Sequence, residues 1–270
     1  MTRVLLLALA LGLVPRACDE RKWSGLLHRK THPDASAPTK LNPREPAFDS
    51  GPIRMEVLDP NANPPVFVMR GGPRGTGRFV FLHGMCGHGL GYAQAFQFSA
   101  AKKGTLIAPQ GDVSCGGVWS RWSNNVTKLD ARIVETFRTL GHREPIDDIV
   151  ILGMSQGAYL AETLARKFPQ RYTRLVSMAA PTALRPGDLR QLRAAVLMAG
   201  DRDRRDLMRA SERALKWSGV PATFMLIPEA THGAMGPTPE RTMGAVLDWL
   251  WDHSKPELSS TQATNSDAGH

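Results

Sequence analysis

Three residue types in this sequence could together do covalent chemistry: a serine between small residues, a histidine and a carboxylate. Ser155 is the centre of Gly153-Met154-Ser155-Gln156-Gly157. The apolar run Ile149-Val150-Ile151-Leu152 precedes it, and a helical pattern with Leu160, Leu164 and Phe168 on one face follows. Strand, G-x-S-x-G and helix form the setting in which a sharp, strained turn lifts a serine hydroxyl clear of the backbone. Gly153 and Gly157 remove side chains that would clash at such a turn. The plainer reading is a glycine-rich turn whose serine caps the helix. The remaining residues must decide between the two.

A serine hydroxyl is a weak nucleophile and needs a base within hydrogen-bond reach. Histidine is the usual one, because its pKa lies near neutrality. Of eight histidines, His28, His32 and His270 lie in the tails, His142 ends a helix at the far side, and His253 closes the last helix. His232 follows the final apolar run, in Pro228-Glu229-Ala230-Thr231-His232-Gly233, just ahead of the last helical pattern. It is the candidate base, the alternative being an ordinary loop histidine. A carboxylate must fix the imidazole tautomer and stabilise the imidazolium. Gly200-Asp201-Arg202-Asp203 follows another apolar run, between Ser155 and His232 in sequence. Asp203 is the candidate and Asp201 the reserve, since an acid at a strand end often shapes the turn. Asp206 falls inside the next helix. An oxyanion would need two fixed donors. The N–H of Gln156 is one, and the N–H of Met85, in His83-Gly84-Met85-Cys86-Gly87 after an early apolar run, is the other. His83 itself reads as structural.

Those residues need strands to carry them. Ile53–Leu58 and Pro65–Arg70 read as strands joined by a turn. Phe79–Leu82, Leu106–Ala108, Ile149–Leu152, Leu175–Met178, Ala195–Ala199 and Phe224–Ile227 are uninterrupted apolar runs. Helical patterns alternate with them near Tyr92–Lys103, Val126–Leu140, Ala158–Phe168, Arg205–Lys216 and Pro239–Leu250. That alternation predicts an α/β fold, a mostly parallel sheet with helices on both faces. In such sheets ligands bind beyond the carboxyl ends of the strands, where the candidates above fall. Gly71–Gly77 lacks the following helix and the Gly-Lys-Ser/Thr of a phosphate loop, so it reads as a turn.

The chain has 270 residues, a formal charge of +9 and a pI of about 9.9. Its basic residues are scattered, and the densest run, Arg202–Arg209, is broken by Asp203 and Asp206, so nucleic-acid binding is not expected. Thr2-Arg3 followed by the apolar Val4–Val14 reads as an export signal, too short to span a membrane as a mature helix. The expected organisation is a signal at 1–18, a proline-rich arm at 19–50, one domain at 51–253 and a polar, disordered tail at 254–270. Cys18 sits at the signal junction. Cys86 and Cys115 remain, an even pair in an exported chain, which favours a disulfide; two free buried thiols are the alternative.

Taken together, His83-Gly84, the pentapeptide around Ser155, Gly200-Asp201-Arg202-Asp203 and Thr231-His232-Gly233 resemble the α/β-hydrolase superfamily, in that family's order. The resemblance covers about Phe79 to Trp251. It implies a serine hydrolase with Ser155, Asp203 and His232 as triad. Within the superfamily the chain is most similar to secreted esterases related to polyhydroxyalkanoate depolymerases and feruloyl esterases. A small or polymeric carboxylic ester is the expected substrate, a peptidase using the same triad or a non-catalytic binding protein the alternatives. No metal or organic cofactor is implied. Many members insert a cap after the sixth strand, whereas only Ala179–Arg193 separates the corresponding runs here, too short for a large cap. The long loop Gly111–Asn124 carries Cys115, Trp119 and Trp122. A Cys86–Cys115 bond would tie it to the oxyanion loop, and the two tryptophans would line a substrate subsite or anchor the loop by packing. Cys18 also resembles the lipidated cysteine of bacterial lipoproteins, although Arg16 stands where that pattern has a small residue. An anchored form and a free periplasmic or secreted one both stay open.

Overall fold

The structure is a computed structural model. It describes residues 55–58, 64–72 and 75–256. The expected signal, Cys18, the arm and the tail beyond 256 lie outside the described residues.

The strands are β1 (Met55–Val57), β2 (Val66–Met69), β3 (Gly77–Leu82), β4 (Gly104–Pro109), β5 (Val113–Gly116), β6 (Trp119–Arg121), β7 (Ile149–Met154), β8 (Tyr172–Met178), β9 (Ala194–Gly200) and β10 (Ala222–Ile227). The helices are α1 (Gly89–Ala95), α2 (Gln97–Lys103), α3 (Val126–Thr139), α4 (Gln156–Lys167), α5 (Arg205–Trp217) and α6 (Pro239–Asp252). Eight strands form one sheet in the order β1-β2-β4-β3-β7-β8-β9-β10. Pairing is parallel from β4 through β10 and antiparallel where β1 meets β2 and β2 meets β4.

Burial on both faces explains the continuous apolar runs: every residue of β4, β7 and β9 is buried. Alternate side chains serve the two faces, as strand geometry requires. Val80 and Leu82 join a core with Leu129, Ile133 and Phe137 of α3, Leu160 and Leu164 of α4, and Met208 and Leu215 of α5. Phe79 and Phe81 point the other way. Phe81 stacks on Tyr92 of α1, with centroids 5.3 Å apart, and Phe79 meets Trp251 of α6. The chain runs from β3 to β4 on one side, then crosses back past β3 to β7 on its other side. A crevice at the carboxyl ends of β3 and β7 follows from that switch of direction.

Three expectations need correction. The helix expected over Tyr92–Lys103 is two, broken at Phe96 (φ −135°, ψ 31°), whose fully buried ring turns in against Phe81. The stretch Gly111–Asn124 is not a plain loop, because β5 and β6 pair within it as an antiparallel hairpin. The tail does not begin at 254: the Ser254 hydroxyl accepts from Arg174 Nε, and Lys255 N–H donates to the Arg193 carbonyl.

Candidate active site

Ser155 sits between β7 and α4 with φ 53° and ψ −113°. A non-glycine residue at positive φ carries strain of roughly 1–3 kcal/mol and persists only where its surroundings fix it. Here the Ser155 N–H donates to the Met178 carbonyl of β8 at 2.9 Å. The two glycines are dictated by space. A Cβ on Gly153 would lie 2.6 Å from the Ala158 nitrogen, and one on Gly157 would lie 2.6 Å from the His83 carbonyl oxygen, with Leu82 closer still. The Ser155 side chain makes no capping bond to α4, so the hydroxyl is not spent on the helix.

His232 lies in the connection from β10 to α6. The Tyr92 hydroxyl donates to the Gly233 carbonyl at 2.7 Å, and Arg202 N–H donates to the Ala230 carbonyl at 3.0 Å, so α1 and the β9–α5 turn both hold this loop. His232 Nε2 is 3.0 Å from Ser155 Oγ, and Nδ1 is 3.0 Å from Asp203 Oδ2. An ionised carboxylate only accepts, so Nδ1 carries the proton and Nε2 accepts from the serine. The second Asp203 oxygen accepts from the Arg204 N–H at 2.7 Å. The Asp203 side chain is 9% exposed and that of His232 55%, which places the acid inside and the imidazole at the mouth. Asp201 does not reach the imidazole. Its Oδ1 is buried with no partner among the described residues.

Gly84 packs against the serine, its notional Cβ 3.4 Å from Ser155 Cβ. His83 is wholly buried. Its Nε2 accepts from the Gly111 N–H at 2.9 Å, so Nδ1 is the protonated nitrogen and donates to the Gly84 carbonyl at 2.7 Å. In a trans peptide the N–H points opposite to the C=O. Holding the Gly84 oxygen therefore aims the Met85 N–H the other way. Gln156, first residue of α4, has an N–H with no intrahelical acceptor.

Two buried titratable groups near this site should oppose each other in acid. Burial pushes the His83 pKa down to about 4. The folded chain keeps His83 neutral while the unfolded chain protonates, so stability is lost as pH falls from 6.5 towards 4. Burial likewise pushes Glu162 of α4 up to about 7, against a hydrogen bond from Ser177 Oγ that favours ionisation. Its folded form holds a proton the unfolded chain has released, so stability rises as pH falls from 7 to about 4.5. Each effect is on the order of 3 kcal/mol. Burial also holds His88 and His142 below their ordinary value, adding the same loss to parent and variant. The Glu162→Gln variant is expected to lose stability in urea more steeply than the parent as pH drops from 7 to 5, and parallel curves would refute the opposition.

The sequence matches no protein-family model and no curated protein. Solved structures do match. An arylesterase superposes with a TM-score of 0.55 at 15% identity, over 78% of this chain and 88% of its own. A CIB-like hydrolase from Thermoplasma acidophilum gives 0.53 at 17%, over 74% and 99%. An esterase from the fungus Rhizomucor miehei gives 0.55 at 14%, over 70% and 79%. The chain has the α/β-hydrolase fold. On this fold the connection from β8 to β9, Ala179–Arg193, holds one short 3₁₀ turn, Gly187–Gln191, and no large cap.

The candidate site is bordered instead by the β5–β6 hairpin, which the isolated bridge between Gly87 and Ser120 joins to the loop after β3. Cys86 and Cys115 form a disulfide with Cα atoms 5.6 Å apart, which removes the free-thiol alternative and joins the hairpin to the loop of Met85. Both cysteines are exposed. Closing 29 residues of chain is worth about 3–4 kcal/mol in the chain-entropy picture. Adding reductant, or substituting Cys115→Ser, is expected to lower the melting temperature accordingly; an unchanged melt would remove the staple from the account. Trp119 is half-buried with its ring edge-on to His88. Of the two readings open for Trp122, its contacts favour packing: it is 4% exposed, lies against the His83 ring and donates its indole N–H to the His83 carbonyl at 2.8 Å. It is a packing anchor.

Several participants escaped the sequence reading. Tyr92 looked like one helix residue among many, and nothing local marks its reach to Gly233. Glu162 was detectable, as a carboxylate among Ala158, Ala161 and Ala165 on the buried face of α4. Nothing local marks the Gln156 side chain either, because its partners Trp122 and Asn124 come from the segment after β6.

Proposed function

We propose that the chain is an exported serine hydrolase of carboxylic esters. Ser155 Oγ attacks the ester carbonyl carbon while His232 Nε2 takes its proton. Asp203 holds the imidazole by Nδ1 and stabilises its charged form. The N–H groups of Met85 and Gln156 receive the oxyanion. Collapse of the tetrahedral intermediate breaks the ester C–O bond, and the imidazolium protonates the departing alkoxide. Water then attacks the acyl-enzyme, losing a proton to His232, and the second intermediate collapses as His232 returns that proton to Ser155 Oγ, releasing the acid and the free serine.

One observation carries this reading: the two 3.0 Å contacts that link Ser155 Oγ, His232 and Asp203 in one line. Ester chemistry is favoured by the kinds of enzyme that share the fold, among them an arylesterase and esterase PE8. The uncapped mouth suits small or polymeric esters. Export of a domain spanning 51–253, after a signal at 1–18 and an arm at 19–50, is supported by the disulfide, which persists in oxidising compartments. No helix among the described residues is long and apolar enough to cross a membrane.

Nitrophenyl esters of increasing acyl length, assayed beside peptide anilides, test the proposal. Hydrolysis of the esters, lost on His232→Ala, is the expected result. Cleavage of anilides alone would replace the esterase by a peptidase, and ester hydrolysis unaffected by His232→Ala would overturn the catalytic assignment.

A further inference from the structure

The two proposed oxyanion donors come from separate loops, after β3 and after β7, yet one residue from a third segment is bonded to the Gln156 side chain and to His83, at the base of the Met85 loop. The Trp122 N–H donates to Gln156 Oε1 at 3.2 Å, and Gln156 Nε2 donates back to the Trp122 carbonyl at 3.1 Å. The Gln156 side chain thus pairs with the Trp122 backbone as a neighbouring strand would. From the same residue the indole N–H donates to the His83 carbonyl at 2.8 Å, in a fully buried position. His83 O belongs to the peptide just ahead of the one that carries the Met85 N–H. Gln156 Nε2 also bonds Asn124 Oδ1 at 3.2 Å, so the segment after β6 is held at two points.

We infer that Trp122, with the side chain of Gln156, is a strut that sets the distance between the two oxyanion donors. It is a positioning device, since Trp122 is buried and acts through the groups it bonds. The inference rests on the proposed roles of the Met85 and Gln156 N–H groups. A tetrahedral oxyanion is shorter-lived and more charged than the ground-state carbonyl, so donors set for it raise turnover more than they tighten substrate binding. Loss of the strut should therefore appear in kcat and not in KM. It should also weaken a tetrahedral mimic more than a substrate.

Two variants reach the strut from opposite ends. Trp122→Phe keeps a ring against His83 and removes the indole donor. Gln156→Met keeps length and the backbone N–H but removes all three side-chain bonds from the less buried end. Each is expected to lower kcat about tenfold to a hundredfold, short of the loss from deleting a donor outright, with KM within about twofold. Affinity for an alkyl boronic acid, which forms a tetrahedral adduct on a serine, should fall by the same factor as kcat. Because both substitutions break one device, the double variant should lose less than the product of the single losses.

If both variants fold and melt lower while kcat and boronate affinity stay at the parental values, the strut is merely structural and the inference fails. Fully multiplicative losses would also overturn it. If Trp122→Phe does not fold, Gln156→Met alone decides, by the same kcat and boronate readings. A parent protein that binds the boronate no better than Ser155→Ala does would instead overturn the nucleophile assignment, and the strut with it.

Discussion

Ser155→Ala is expected to lower ester turnover by about a millionfold, and His232→Ala by about as much. The two act as one unit, because the hydroxyl is useful only while Nε2 can take its proton. The double variant should therefore be no slower than either single one, against the enormous further loss that independent effects would give. Asp203→Ala should cost less, about ten-thousandfold, because the imidazole remains but loses the bond that holds its tautomer. Asp203 shares its second oxygen with the Arg204 N–H, so Asp203→Asn still fills the site yet presents the wrong hydrogen-bonding pattern to Nδ1 in one of its orientations. Asp201→Asn is the contrasting case, expected to retain turnover, since Asp201 has no bond to the imidazole. Steady-state rates with a nitrophenyl ester check all six variants. A loss at Asp201 matching that at Asp203 would break the assignment of the acid.

Gly157→Ala is expected to have a large effect on folding. The added methyl would overlap the Leu82 carbonyl and approach the His83 carbonyl oxygen to 2.6 Å, both backbone atoms of β3 and its following loop. Neither can rotate away as a side chain could. α4 would have to lift off the end of β3, a change that overpacking data put at about 3 kcal/mol or more. Against a total stability of roughly 5–15 kcal/mol, that is a large share. Because α4 begins with Gln156 and follows Ser155, any surviving fold should also lose turnover. Urea unfolding monitored by tryptophan fluorescence measures the first effect. An alanine at 157 tolerated with unchanged midpoint and rate would show that the close approach of α4 to β3 is not required.

Much of this arrangement was readable in the residues, for identifiable reasons. Runs such as Ile149–Leu152 and Ala195–Ala199 are apolar without alternation because both faces of β7 and β9 are covered, and that marks a parallel sheet. Ser155, Asp203 and His232 each follow a strand, so their order along the chain forecast their meeting at one end of the sheet. What stayed hidden depends on contacts between distant segments. Phe96 breaks a helix that its neighbours favour, because its ring is worth more in the core beside Phe81 than in continued helix. The β5–β6 hairpin contains only four and three residues per strand, too few for a periodic signal. Trp122 could have faced substrate or core, and its type alone does not choose. The choice is made by the His83 carbonyl and the Gln156 amide, which lie 39 and 34 residues away in sequence.

The most direct test of the account is covalent. A fluorophosphonate offers a phosphorus that only an activated nucleophile attacks, releasing fluoride and leaving a stable tetrahedral adduct. Intact mass followed by peptide mapping of the labelled protein should find one adduct, on Ser155, and none on Ser155→Ala treated in the same way. An adduct on another residue, or labelling of Ser155→Ala at the parental rate, would contradict the claim that Ser155 is the nucleophile.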